Sequence, residues 1–300
     1  MDTLWLSDPA RAYADWQARE AAGADRRPFA QRSIVQHRAM FDRFHRHIVG
    51  HNATLASFGS DHINAFWLDP ESASYTPATR MRYLKLIDRL CRHLVNAGVR
   101  ASNPAADLVR DGRWPTDEPP PLFLAEDVDA RLQDYVQPLP ADDLTQLRRR
   151  AIVALFLGTG VTASEGRNAT LHDLHPEAQP PYLHVPGKGP KMPRTIHLEA
   201  FAAAPLEAWL KARPQMSANG DRLFTLTSAG TPITDMSFGI IVRAALEAIA
   251  YRAPDMSPRI LRNTYCRRAL RQGMAADDVS RRLGLASNRT VDRMRSTIVD

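Results

Sequence analysis

Two arginines three apart on one predicted helix are the residues best placed to do chemistry. They are Arg259 and Arg262, in the stretch Ser257-Pro258-Arg259-Ile260-Leu261-Arg262-Asn263-Thr264-Tyr265. Ser257 suits a helix cap and Pro258 the first helical position. Residues three apart share a helix face. Two guanidiniums on one face make a phosphate clamp. The plain alternative is a solvated arginine face on a surface helix. A second basic element is the loop Pro186-Gly187-Lys188-Gly189-Pro190-Lys191-Met192-Pro193-Arg194, where Lys188 and Arg194 can also meet phosphate.

The totals favour a polyanionic partner. The 300-residue chain has a net charge of +6, and Arg far outnumbers Lys. The segment from Ser257 to Asp300 holds ten arginines, no lysine and four aspartates, a surplus equal to the whole chain's. Nucleic acid is the default partner for such a balance. Cys91 and Cys266 are the only cysteines, so a disulfide framework and a zinc-cysteine site are not indicated, and a reducing cytoplasm fits. No apolar run approaches membrane-spanning length and no signal peptide is evident. His37, His45 and His47 lie among arginines with only Asp42 nearby, which favours a polar surface over a metal site. No cofactor is expected.

The elements that would position these groups are mostly helical. Residues 1–32 read as an arm with a short amphipathic helix around Leu4-Trp5-Leu6, Tyr13 and Trp16, packing on its own domain or on a neighbour. Residues 33–113 read as a helical bundle. Its first helix is capped by Ser33 and ended by Gly50, the second starts at Ser60, and the third runs from Thr76-Pro77 to Ala97. A short fourth helix begins at Asn103-Pro104. Arg80, Lys85 and Arg89 line the third helix's polar side. Residues 114–121, rich in proline and charge, read as a semi-stiff linker. The remainder, 122–300, has helices at 126–135, after Asp142-Asp143 through the apolar block 151–157, at 199–212, 235–251 and 257–272, and a last pair around Val279, Leu283 and Val291. Tyr182-Leu183-His184-Val185 and Thr195-Ile196-His197-Leu198 alternate as a hairpin around the basic loop.

This order of features resembles the tyrosine recombinase (phage integrase) family over residues 33–298. The pattern comprises a basic bundle, a proline linker, an apolar helix ending in Thr159-Gly160, a lysine-bearing hairpin, an Arg-x-x-Arg helix and a Leu283-Gly284 turn. The resemblance implies a mainly α fold with a small β-hairpin or sheet. It also implies an N-terminal helical core-binding (SAM-like) domain and a C-terminal catalytic-type domain, closing as a clamp around double-stranded DNA. In such enzymes a tyrosine attacks a DNA phosphodiester, two arginines hold the phosphate, and a hairpin lysine and a histidine pair manage protons.

Position by position, the match is incomplete. The place of the first phosphate-binding arginine is Thr162; Arg167 is a poor substitute, while Ser164-Glu165 match the family, Glu165 in a structural role. Lys188 matches the hairpin lysine and Arg262 the second arginine. Arg259 stands where a proton-handling histidine belongs, and a guanidinium does not deprotonate near neutral pH. Asn263 and Leu285 replace further histidines. The nucleophile position falls at Met294, and no tyrosine follows Tyr265. Ser287, Thr290 and Ser296 offer hydroxyls without a base.

The expectation is therefore a non-catalytic duplex-DNA-binding protein on a recombinase scaffold, cytoplasmic and nucleoid-associated. It would act as a regulator or accessory factor of recombination or of a mobile element, alongside an active recombinase or its own copies. Lys188, Arg194, Arg259, Arg262, Arg267, Arg80, Lys85 and Arg89 would bind DNA, and helix residues in the first domain and near 235–247 would read sequence in the major groove. The alternatives are a divergent recombinase using a tyrosine in trans, and a basic helical protein binding RNA or protein.

Overall fold

The computed structural model describes residues 4–21, 28–29, 31–111, 120–187, 192–216, 220–227 and 229–298. It divides into two compact units, Met1–Glu118 and Pro119–Asp300. Residues 114–119 of the expected linker lie outside the described residues.

The first unit is helical: α1 (Leu4–Ser7), α2 (Pro9–Arg19), α3 (Gln31–Gly50), α4 (Ser60–Phe66), α5 (Pro77–Asn96) and α6 (Ala106–Asp111). Local chemistry sets several starts. Asp8 accepts from the Arg11 N–H at 3.1 Å ahead of Pro9, and Thr76 accepts from the Thr79 N–H at 3.3 Å ahead of Pro77. Phe41, Phe44 and Ile48 of α3 meet Ile63 and Phe66 of α4 and Leu86, Ile87, Leu90, Cys91 and Leu94 of α5. Ser33 lies inside α3 and not at its cap, and α6 begins at Ala106, past the Asn103-Pro104 joint.

The opening helices are part of this core. Trp5, Tyr13 and Trp16 are buried. Tyr13 stacks on Phe41 with ring centroids 4.0 Å apart, and Trp16 stacks on His93 at 5.1 Å. Burying each such ring stabilises by about 1.5–3 kcal/mol. The short amphipathic helix read from this stretch is thus two helices seated on their own unit.

The second unit has α7 (Glu126–Tyr135), α8 (Leu144–Thr159), α9 (Ala163–Asn168), α10 (Ala200–Ala212), α11 (Asp235–Ala248), α12 (Pro258–Arg271), α13 (Ala276–Leu283) and α14 (Arg289–Arg295). Three short strands, β1 (Leu174–His175), β2 (Tyr182–Val185) and β3 (Arg194–His197), pair antiparallel in that order. Leu183 lies opposite Ile196, so both apolar residues face the core. The hairpin is as read from its alternation, shifted by one residue in β3; β1 is an addition.

Helix α8 is the centre of the unit, with every residue from Ala151 to Thr159 buried. Helices α10, α11 and α12 pack around it. A Cβ at Gly158 would lie 2.6 Å from that of Ala202, so glycine lets α8 and α10 approach closely. Both cysteines are buried and unbridged. No helix among the described residues is long and apolar enough to cross a membrane.

Candidate functional site

Helix α12 presents its two arginines in opposite circumstances. Ser257 caps it and Pro258 opens it, while Ile260, Leu261, Tyr265 and Ala269 fix its buried side. The Arg259 side chain is 75% exposed and its Nε donates to Asp255 Oδ2 at 2.9 Å. Burial pushes the Asp255 carboxyl up, but bonds from Ser257 and Arg259 outweigh it and hold the group below its usual range. Arg262 turns into the fold. Its Nη1 donates to the Gly160 carbonyl, and its Nη2 donates to the Leu283 carbonyl at 2.7 Å. These carbonyls stand at the C-terminal ends of α8 and α13, where helices leave acceptors unfilled. The expected two-arginine clamp is therefore not a matched pair: one guanidinium faces solvent and the other staples two helix ends.

A second polar centre adjoins it. Thr162 and Glu165 form a capping box at the start of α9. Glu165 Oε2 accepts from the Thr162 N–H at 2.8 Å, and Oε1 accepts from Arg194 Nη1 at 3.1 Å. Arg194 Nε donates to the Arg282 carbonyl at 2.7 Å. The Arg194 and Glu165 side chains are only 7% and 14% exposed. Arg194, expected on a DNA-facing surface, is thus an internal tie between β3, α9 and α13. Burial raises the Glu165 pKa, but bonds from Arg194 and Thr162 overcome it and bring the carboxyl down to about 2. Arg262 is close enough to feel both groups: burial lowers its pKa, Glu165 raises it and Arg194 opposes that.

Two left-handed glycines make room for this arrangement. Gly284 has φ +64°, and a Cβ there would sit 2.7 Å from Arg194 Nη1. Gly160, also at φ +64°, would place a Cβ 2.6 Å from the Tyr265 ring. Both close helix C-termini.

The remaining described positions are engaged in packing and capping or lie at the surface. Thr162 spends its hydroxyl on the cap of α9. Leu285 is half-buried against the core. Met294 of α14 is fully buried beside Val291 in the main core, where a thioether packs well. Tyr265 is 1% exposed, and burial pushes its hydroxyl pKa up despite the opposing charge of Arg282. Ser287, Thr290 and Ser296 are exposed. Lys188, with Gly189 and Lys191, lies outside the described residues.

Other expected DNA contacts are distributed unevenly. Arg267 is half-buried, its guanidinium 4.5 Å from the Phe123 ring centroid. In the first unit, Lys85 is exposed, whereas Arg80 donates to the Ala73 carbonyl at 3.0 Å. Arg89 lies 4.6 Å over the Phe29 ring, and burial lowers its pKa. Sequence reading missed Arg268, whose Nε is 3.3 Å from Asp129 Oδ2 in a pair 14% and 10% exposed. The one signal was Asp129 itself, a charge next to the apolar stripe of Val128 and Leu132.

The comparisons with known proteins agree with this fold. The phage integrase family model matches residues 123–295. The chain is 28% identical over 156 residues to the tyrosine recombinase XerD of Corynebacterium glutamicum, covering 51% of this chain and 50% of that protein. With the XerC of Shewanella amazonensis the alignment also spans about half of the relative's length, 51%. With the XerD of Mycobacterium tuberculosis it is 26% identical over 274 residues, 87% of this chain and 86% of that one. Among solved structures, XerH bound to palindromic difH substrate superposes with a TM-score of 0.72 at 17% identity, over 88% of this chain and 76% of that one. The Tn1549 transposon integrase with circular intermediate DNA gives 0.72 at 15% identity, over 95% and 93%. These two likenesses speak for the fold alone. With the family model covering more than half its length, the chain belongs to the phage integrase, or tyrosine recombinase, family.

Proposed function

We propose that this protein binds duplex DNA on a recombinase scaffold and does not itself cut the strand. The observation that carries the reading is Met294. It occupies the position where the family resemblance places the nucleophile, it is buried in the core, and a thioether cannot attack phosphorus. The neighbouring substitutions support it. Thr162 is committed to a helix cap, Arg259 cannot pass a proton, and Leu285 carries no ionisable group. Loss of one preorganised electrostatic group costs about 10²–10³ in rate, and the nucleophile is absent as well. The exposed basic groups that remain, such as Arg259 and Lys85, suit phosphate contacts that fix register without breaking the backbone. A regulatory or accessory role beside an active recombinase follows from binding without cleavage.

The test is a nicked suicide duplex bearing sites selected from random DNA by this protein. The expected result is a mobility shift with no covalent protein–DNA adduct on denaturing gels. An adduct formed by the purified chain overturns the non-cleaving half. Absence of any shift overturns the DNA half. An adduct that forms only when a tyrosine-bearing recombinase is added, maps to that recombinase's tyrosine and lies at the site bound by this chain favours the reading in which the nucleophile comes in trans.

A further inference from the structure

The geometry points to a divalent transition-metal site in the first unit, built from His47, His51 and Asp69. The sequence places His47 among surface arginines, but the structure buries its side chain to 2% exposure. His47 lies in the last turn of α3 and His51 directly follows that helix, four residues on, which brings their rings to a centroid distance of 4.2 Å. Asp69 reaches them from the turn after α4. That turn is itself ordered, since the Asp69 carbonyl accepts from the Ser72 and Ala73 N–H groups at 3.0 and 2.7 Å. One ligand atom from each of the three residues fits within 4.8 Å of the others.

The hydrogen bonds decide which ring nitrogens are available. His47 Nε2 faces the His62 carbonyl at 3.1 Å. A carbonyl only accepts, so Nε2 carries a proton, and in a neutral ring Nδ1 is then a bare lone pair. That lone pair points at Asp69 Oδ2, with which it is in contact. Two acceptors do not hold each other without a cation between them, either a proton or a metal. His51 Nδ1 likewise faces a carbonyl, that of His47, at 2.9 Å, which leaves its Nε2 as a lone pair. Each ring is thus oriented by a backbone acceptor on its far side, the usual outer-shell support of a metal-binding histidine.

Two imidazoles and one carboxylate suit a borderline ion such as Zn²⁺, with a fourth position left to water. The nearby arginines do not oppose it strongly. Arg43 Nε lies 3.5 Å from Glu71 Oε2, and its Nη1 donates to the Tyr75 and Tyr83 hydroxyls at 2.6 and 2.8 Å. Arg46 lies 3.9 Å from the same carboxylate. The bound ion would fasten α3 to the turn leading into α5, a structural role separate from any DNA chemistry of the second unit. Binding releases to solvent whatever proton bridges His47 and Asp69.

The test is titration of the full, tag-free, chelator-treated chain with Co²⁺, followed by Zn²⁺. The expected result is one equivalent of Co²⁺ with visible ligand-field absorption of a low-coordinate site, displaced by Zn²⁺, which binds more tightly. His51→Ala removes an exposed ligand, so its apo circular dichroism should match wild type while binding weakens by about tenfold or more. Asp69→Asn should lose the band also, and His37→Ala and His45→Ala should keep it. Absence of both the band and a Zn²⁺ binding heat overturns the site and assigns the His47–Asp69 contact to a proton. Unchanged binding in His51→Ala overturns it equally.

Discussion

Glu165 accepts two hydrogen bonds from inside the fold, and its carboxyl is held near 2 against an ordinary value of 4.5. The depressed value means that the ionised form stabilises the folded state. This stabilisation is complete above pH 4.5 and is lost as pH falls toward 2. A shift of that size corresponds to roughly 3 kcal/mol. Denaturant melts of wild type should therefore lose stability between those pH values, and Glu165→Gln should flatten that part of the profile. If the two profiles run parallel there, the Arg194 and Thr162 bonds do not set the carboxyl. The same residue shows what sequence could and could not say. The pair Ser164-Glu165 was legible as a structural match. Its partner was not, because Arg194 lies 29 residues away and heads what reads as an exposed basic loop.

At the scale of elements, Arg262 joins the ends of α8 and α13 through two carbonyls. Truncating it strands both acceptors in a half-buried setting, and each charge-assisted bond is worth about 1.5–3 kcal/mol. Arg262→Ala should lower the unfolding free energy by about 2–4 kcal/mol, measured by urea melts. Arg262→Lys should recover only part of this, because one ammonium cannot reproduce a planar fork. A variant as stable as wild type refutes the staple. Most element bounds were readable because their signals are local. Thr76-Pro77 starts α5, Asp143 caps α8, and Tyr182 to Val185 alternate. The direction of Arg262 was not readable: spacing puts it on a face with Arg259 but does not say which flank of that face meets the core. Strand β1 was missed because two residues, Leu174 and His175, carry no period of their own.

For the molecule as a whole, the arginine surplus of the final segment overstates the charge offered to a polyanion. Arg268 is spent on Asp129 and Arg271 on Glu126, both acids outside the segment, while Arg262 is turned inward. The salt dependence of duplex binding should accordingly be clear but moderate. A plot of log affinity against log salt should correspond to about 4–6 neutralised phosphates, measured by fluorescence anisotropy between 50 and 200 mM salt. A flat line contradicts phosphate-dominated binding; a slope near ten contacts means that the internal arginines let go of their partners on DNA. The charge imbalance itself was plain in the sequence, but its cancellation was not, since Arg268 and Arg271 meet acids on α7, more than a hundred residues earlier.

The inward arginine of α12 also bears on how a motif letter is weighed. A side chain that ties helix ends together is needed for folding whether or not it also serves a reaction. Arg262 and Glu165 are held by such bonds, so their presence alone says nothing about turnover. Surveys that score chains of this fold by motif letters will count folding residues as evidence of activity.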